Sequence, residues 1–259
     1  MKRIAIITVA GISSRFNKGV SEEDKVLKCL YSEGDEKATL LYHMIKKLKY
    51  ADHIIVVGGY KFEDLKNYVD SSIPSELSSK LRLIYNEHFE DLSSGYSLYL
   101  GLKTVFEEFD EAGDVLFAEG DLDIDAPSMD AVIANSTSVL TYNLEPIKAN
   151  KAVVLYVGAD GHYHYAFDSS HGLLSIPSQF SAIYNSGQLW KFNDMKALKA
   201  ASEAFIEKNR DGTNLFIIQE YLNNIPIGDV SVLPLKCWVN CNTRDDYRLI
   251  SSRWENEDS

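Results

Sequence analysis

No stretch of this chain approaches ~20 consecutive apolar residues, so no segment is expected to cross a membrane as a helix. The first residues pass directly into a strand pattern, with no signal-peptide core ahead of it, and a cytoplasmic location is expected. Cysteine is scarce: Cys29, Cys237 and Cys241 are the only three. An odd, small number excludes a disulfide framework and suits a reducing compartment. The Cys237 to Cys241 spacing has no matching Cys/His pair elsewhere, so zinc is not expected and buried thiols are.

Positive charge is also in short supply. The chain has 26 Lys and Arg against 38 Asp and Glu, a net charge of −12. A diffuse negative surface repels nucleic acid and anionic membranes. An anionic ligand must then be received by a few local cations or by a metal, which makes each well-placed Lys or Arg informative. The six histidines form no grouping that suggests a catalytic triad. No internal repeat, linker or low-complexity tract interrupts the chain. What remains is an ordinary globular composition, 45% apolar and 25% charged, over 259 residues, enough to bury a substantial core in one large domain.

The hydrophobic pattern alternates strand and helix through the first half. Strands are predicted at Arg3 to Val9, His53 to Val57, Leu81 to Tyr85 and Val115 to Ala118. Helices are predicted at Ala38 to Tyr50, Phe62 to Val69 and Gly95 to Phe109, the last with Leu98, Leu102, Val105 and Phe109 on one side. Such alternation implies an α/β fold with a doubly wound, mostly parallel, Rossmann-like sheet. After about residue 135 strands follow in series: Val139 to Tyr142, Ala152 to Val157 and Tyr163 to Phe167, with Asp160-Gly161 as a hairpin turn. An antiparallel extension is expected there, forming a wall over the site. Further helices are expected at Asp194 to Lys208, Asn214 to Leu222 and Thr243 to Arg253, with one or two strands in Val230 to Asn240. Asp194 and Thr243 are the expected caps. The predicted organisation is one domain over 1–253, with halves 1–135 and 136–253 and a frayed tail at 254–259.

The most informative stretch is the first thirty residues. The apolar run Ile4 to Val9 ends abruptly in Ala10-Gly11-Ile12-Ser13-Ser14-Arg15-Phe16, and Lys25 and Lys28 follow. A buried strand that runs into a small-residue turn exposes several backbone N–H groups at one place, and such a turn can wrap a phosphate. The turn follows the first strand, where open α/β sheets place ligands. It is neither a dinucleotide fingerprint nor a Walker A loop, because the required later glycines and the Gly-Lys-Ser/Thr are missing.

The second signal is Glu119-Gly120-Asp121-Leu122-Asp123-Ile124-Asp125, just past the fourth strand. Residues two apart in an extended segment point the same way, so Asp121 and Asp123 are expected to share one hard cation. Mg²⁺ typically takes one or two protein carboxylates plus substrate phosphates. Asp125, close to Pro127, is the member expected to be only a helix cap.

Together these two motifs resemble the sugar-nucleotidyltransferase family, which joins an NTP to a phosphorylated sugar or alcohol. The family opens with an apolar strand, Ala-Gly-x-Gly/Ser-x-Arg and then Pro-Lys. Ala10-Gly11-Ile12-Ser13-Ser14-Arg15 matches the first part, and Lys28-Cys29-Leu30 resembles the lysine segment, although Val26-Leu27 stands where Pro is usual. Asn86 to Leu98 resembles the segment that contacts the base, Gly120-Asp121 the metal-binding aspartate, and Asn185-Ser186-Gly187 the segment that touches the acceptor. Asn242-Thr243-Arg244-Asp245-Asp246 resembles the terminal Asp-Thr-x-x-Asp, with an amide, Asn242, where a second metal aspartate is usual. The resemblance covers nearly the whole chain and implies a GT-A-like fold.

It also implies roles. Arg15, with Lys28 or Lys25, would be catalytic. Residues Ala10, Gly11, Ile12, Ser13, Ser14, Asn86, Ser94, Ser97 and Gly120 would bind the nucleotide. Asp121, Asp123 and Asn242 would hold Mg²⁺. The segment Asn86 to Leu98 looks most like that of the cytidylyltransferases acting on phosphocholine and related phospho-alcohols. That likeness implies an aromatic acceptor site, with Tyr142, Tyr184 and Trp190 as a cage beside Ser186 and Gly187. The expected activity is Mg²⁺-dependent nucleotidyl transfer from an NTP, CTP in this reading, to phosphocholine or a sugar phosphate, releasing pyrophosphate. The competing readings are a nucleotide-sugar-dependent glycosyltransferase, which would also use Asp121-x-Asp123, and a non-catalytic nucleotide-binding module.

Overall fold

The computed structural model describes residues 1–150, 153–167 and 172–257. Alternating strands and helices run through the first half: β1 (Lys2–Val9), α1 (Leu40–Lys47), β2 (His53–Gly58), α2 (Phe62–Ser72), α3 (Ser75–Ser78), β3 (Leu81–Tyr85), α4 (Ser94–Glu108) and β4 (Ala112–Glu119). Then come β5 (Leu122–Ile124), α5 (Ala126–Ala134), β6 (Ser138–Asn143), β7 (Val154–Gly158), β8 (Tyr163–Ala166) and β9 (Phe180–Phe192). The chain finishes with α6 (Met195–Lys208), α7 (Asn214–Asn223), β10 (Val230–Leu235), β11 (Trp238–Asn240) and α8 (Arg244–Glu257). Ala152, where the sequence pattern begins a strand, lies outside the described residues.

Strands β10-β6-β9-β4-β1-β2-β3 form the spine of one sheet, with β7 and β8 added beside β9. β4, β1, β2 and β3 are mutually parallel, and so are β6 and β10. β9 lies antiparallel between β4 and β6, and the β7–β8 hairpin extends from it. The mostly parallel sheet with an antiparallel extension is therefore present as predicted. The hairpin turns at Gly161, which takes a left-handed φ of 80°. The sequence pattern missed β9 itself. Its Asn185-Ser186-Gly187, expected only as an acceptor-contacting segment, lies within the strand at a bulge, with Gln188 at φ 54° and a register shift against β6.

Helices cover both faces. Along β1, Ile4 and Ile6 join the cluster formed with α4, α6 and α7, whereas Ala5, Ile7 and Val9 join the cluster formed with α1, α2, α5 and α8. The period of two puts alternate side chains on opposite faces, and helices on both faces explain why the run is apolar at every position but Thr8. Both clusters draw residues from before and after residue 135. Asp194 caps α6 by accepting the N–H of Ala197 at 2.9 Å.

One boundary needs correction. The predicted frayed tail from 254 is helical as far as Glu257, and Trp254 is buried. Its indole stacks on His43 of α1 at 3.7 Å and donates to Asp123 Oδ1 at 3.1 Å. Asp258 and Ser259 lie outside the described residues. Among the described residues no helix is long and apolar enough to cross a membrane.

Candidate active site

The carboxyl ends of β1 and β4 open into a cavity of about 380 Å³. Gly120 keeps the two strand ends together. A Cβ there would lie 2.3 Å from Val9 Cγ1 and 2.9 Å from Thr8 O, and the Gly120 N–H donates to that same oxygen at 3.0 Å. Residues 10–16 form one wall. Ser13 sits in the left-handed region at φ 55°, and its hydroxyl accepts the N–H of Lys28 at 3.2 Å. That bond ties the phosphate-loop candidate to the lysine segment. Gly11 is exposed, and a Cβ on it would meet nothing within 4 Å, so the missing side chain leaves room in the cavity and relieves no clash.

The two candidate lysines part ways. Asn17 clamps the intervening loop by accepting from Val26 N and donating to Val26 O, at 3.1 and 2.8 Å. In the folded loop Lys25 turns to Glu22 and stays out of the cavity. Lys28 lines the cavity, and its Nζ lies 2.7 Å from Asp121 Oδ2. Arg15 also lines it and is exposed.

Every residue expected to touch nucleotide lines this cavity. Asn86 is buried, donating to Ser97 Oγ at 2.9 Å and accepting from His88 N at 2.9 Å, so its amide holds the base-side loop in shape. The N-terminus of α4 opens on the cavity through Ser93, Ser94 and Ser97, and Ser93 makes no capping bond. The N–H groups of Gly95 and Tyr96 are taken by Gly212 O and Ser93 O, both at 3.2 Å, so what favours an anion there is the positive end of the helix dipole.

Asp121 and Asn242 meet at the cavity, although 121 residues separate them in sequence. The short β5–β11 ribbon brings them together, and Asp121 O accepts the N–H of Cys241 at 2.8 Å. Asp246 fixes the second strand end by accepting from the N–H groups of Asn242 and Thr243, at 2.9 and 2.7 Å. Asp121 Oδ1 and Asn242 Oδ1 are both buried and have no hydrogen-bond donor. Unpaired buried acceptors are costly, and two of them lining one cavity fit a hard cation with phosphate and water completing its shell. No cluster of three or more His, Cys, Asp or Glu among the described residues forms a self-sufficient metal cage.

Asp123 is not part of this arrangement. Asp121 lies in the turn before β5, whereas Asp123 is inside the strand, so the expected common direction fails. Its buried carboxylate pairs with Lys47 Nζ at 2.8 Å and takes the Trp254 indole N–H. Asp125 caps α5, as expected, by accepting Ser128 N at 2.9 Å.

The expected aromatic acceptor cage does not form. Trp190 is fully buried, stacked on Phe117 at 5.1 Å, and its indole N–H donates to Tyr165 Oη at 2.7 Å. Tyr142 and Tyr184 do face one another, with centroids 4.8 Å apart, but neither lines the cavity. Ser186 and Gly187 serve the β9 bulge: Ser186 Oγ accepts Gln188 N, and Gly187 O accepts the Trp238 indole N–H at 2.8 Å. Cysteine burial also differs at one position. Cys29 and Cys241 are buried, and burial pushes both thiols up to about 12, which keeps them protonated and inert; Cys237 is exposed.

Sequence reading assigned no role to Glu119. It lines the cavity at the end of β4 and accepts from Asn214 Nδ2 at 2.7 Å. Burial, and then the charge of Asp121, raise its carboxyl to about 7. The signal available was its position, last in a parallel strand and two residues before Asp121.

This cavity at the switch between strand ends is where doubly wound sheets receive ligands. The whole chain has the fold of known nucleotidyltransferases. The inositol-1-phosphate CTP transferase from T. maritima superposes with a TM-score of 0.65 at 16% identity, covering 96% of this chain and 95% of that one. The CTP:phosphocholine cytidylyltransferase from Streptococcus pneumoniae gives 0.62 at 14% identity, covering 98% and 100%. A putative glucose-1-phosphate thymidylyltransferase from Bacillus anthracis gives 0.65 at 13% identity, covering 96% and 94%. At the level of sequence, residues 24–254 match the family described as Domain of unknown function (DUF6564), and the chain belongs to that family. The comparison with curated proteins finds no match.

Proposed function

We propose that this protein is a nucleotidyltransferase that joins an NTP to a phosphorylated small-molecule acceptor and releases pyrophosphate. The observation that carries the reading is the arrangement of Lys28, Asp121 and Asn242 beside the Gly11 loop, with two acceptor oxygens left without donors. An acceptor phosphate oxygen attacks the α-phosphorus in line, a new P–O bond forms, and the bond to the β-phosphate bridging oxygen breaks. No covalent intermediate with the protein is needed, so the work is positioning and charge compensation.

Backbone N–H groups of residues 11–14 hold the β- and γ-phosphates, and exposed Arg15 folds onto the leaving pyrophosphate. Lys28 moves from Asp121 to the α-phosphate, where negative charge grows. Asn86, Ser94 and Ser97 set the base side. Asp121 Oδ1 and Asn242 Oδ1 would hold Mg²⁺, which when bound offsets phosphate charge. Two of the structural neighbours are an inositol-1-phosphate CTP transferase and a CTP:phosphocholine cytidylyltransferase, which supports CTP as the donor. A glycosyltransferase reading loses its Asp-x-Asp pair, because Asp123 is committed to Lys47 and Trp254.

The test is pyrophosphate release with Mg²⁺, each of the four NTPs being paired with phosphocholine, inositol 1-phosphate, glycerol phosphate and hexose 1-phosphates. Release that requires both an NTP and an acceptor supports the reading. Tight NTP binding without release across the panel favours a binding module.

A further inference from the structure

Beside the cavity, though not among the residues that line it, one cation has no carboxylate partner among the described residues. Arg244, the first residue of α8, packs its guanidinium over two rings, 4.9 Å from the Tyr31 centroid and 6.0 Å from that of Phe16. Phe16 lines the cavity and follows Arg15 directly, and Asn242, two residues before Arg244, lines it too. The Arg244 Nε is buried with no hydrogen-bond acceptor, and the side chain has no carboxylate partner among the described residues. This is unexpected in a chain with 38 acidic residues.

The acids around it are engaged elsewhere. Asp246 accepts the Asn242 and Thr243 N–H groups and the Thr243 hydroxyl. Asp245 pairs with Arg248 at 2.9 Å. Glu33 takes Arg248 at 3.1 Å and the Tyr31 hydroxyl at 3.1 Å. A cation in the first turn of a helix is also disfavoured by the helix dipole. The two rings, edge-to-face with one another at 70°, hold the guanidinium in place, and its Nε is left without a protein acceptor.

We infer that Arg244 is a second arginine for the leaving pyrophosphate, receiving the β- and γ-phosphates of the NTP from the α8 side while Arg15 receives them from the loop side. Its neighbours Phe16 and Asn242 flank Arg15 and the proposed metal position, which assigns Arg244 to the phosphate tail rather than the base. This inference rests on the proposed nucleotidyl transfer, and a binding experiment separates the two.

Calorimetric titration of the full chain with Mg²⁺, using inorganic pyrophosphate, CTP and CMP as probes, reads the role without turnover. Arg244→Gln is expected to weaken pyrophosphate and CTP about 10-fold or more, with CMP unchanged, because charge-assisted bonds to phosphate are lost. Arg244→Lys, which keeps the charge and loses the fork, should fall between. Thermal unfolding of each variant shows whether the fold is kept, and a folded Arg244→Lys suffices if the glutamine variant is not. Equal pyrophosphate affinity in wild type and in a folded variant, or parallel loss of CMP, overturns the role of Arg244. A wild-type chain that binds neither CTP nor pyrophosphate overturns the nucleotidyl-transfer reading, and the inference with it.

Discussion

Lys28 Nζ rests 2.7 Å from Asp121 Oδ2, across 93 residues of sequence, at the mouth formed by the ends of β1 and β4. Each side chain is just over four-fifths buried, so neither charge is well solvated without the other. The pair therefore couples stability to function. Lys28→Met should cost about 2 kcal/mol, because it leaves a carboxylate unpaired, and Lys28→Met/Asp121→Asn should recover most of that loss. Neither variant should turn over at more than roughly a hundredth of the wild-type rate. Chemical denaturation and the pyrophosphate assay on the same preparations check both halves.

Arg15 and Lys25 should behave oppositely in turnover and alike in stability. Both are outside the core: Arg15 is exposed, and Lys25 pairs with the exposed Glu22. Surface substitutions of this kind change stability by about 0.5 kcal/mol or less. Arg15→Ala should nevertheless lose ~10²–10³ in turnover, and Lys25→Ala almost none. Steady-state rates of the two variants, measured side by side, decide which cations belong to the site.

Asp125 gives a pH-dependent prediction. Burial alone raises its carboxyl, but the N–H of Cys237 and the bonds from Ser128 outweigh burial and hold it below the usual value. The ionised form is thus favoured by folding. Its contribution is present above the unfolded-state value, near 4, and is lost as pH falls through the lower folded-state value. Asp125→Ala should cost about 1–2 kcal/mol at pH 7, and the difference from wild type should shrink below about pH 4. Denaturation midpoints measured from pH 3 to 7 test this.

Trp254 anchors the last helix to α1 and to Asp123. Trp254→Ala should cost about 3–5 kcal/mol, the usual range for a large buried ring. Because Trp254 does not line the cavity, the substrate KM of the folded fraction should be unchanged.

The parts of this molecule that the sequence disclosed are those governed by short-range rules. A largely apolar run ending in Ala-Gly marks a parallel strand buried on both faces and the turn that follows it, and the structure places residues 10–15 at that turn. Asp194 and Asp125 were legible as caps because capping is set within a few residues. What stayed hidden depends on distant partners. Asp123 reads as a ligand until Lys47 and Trp254, 76 and 131 residues away, claim its oxygens. Trp190 reads as a cage wall until β9 is recognised as a strand between β4 and β6, which places its ring against Phe117. Lys25 and Lys28 could not be separated before the Asn17 clamp fixed which of them turns inward.

The central claim is that this cavity transfers a nucleotidyl group. The most direct measurement is mass spectrometry of a reaction containing the full chain, Mg²⁺, CTP and a phosphorylated acceptor, with Asp121→Asn alongside. The account predicts a CDP-linked product and an equal amount of pyrophosphate from wild type, with ~10²-fold less from the variant. Product formed equally well by Asp121→Asn, or CTP and acceptor recovered intact across the acceptor panel despite tight nucleotide binding, would contradict it.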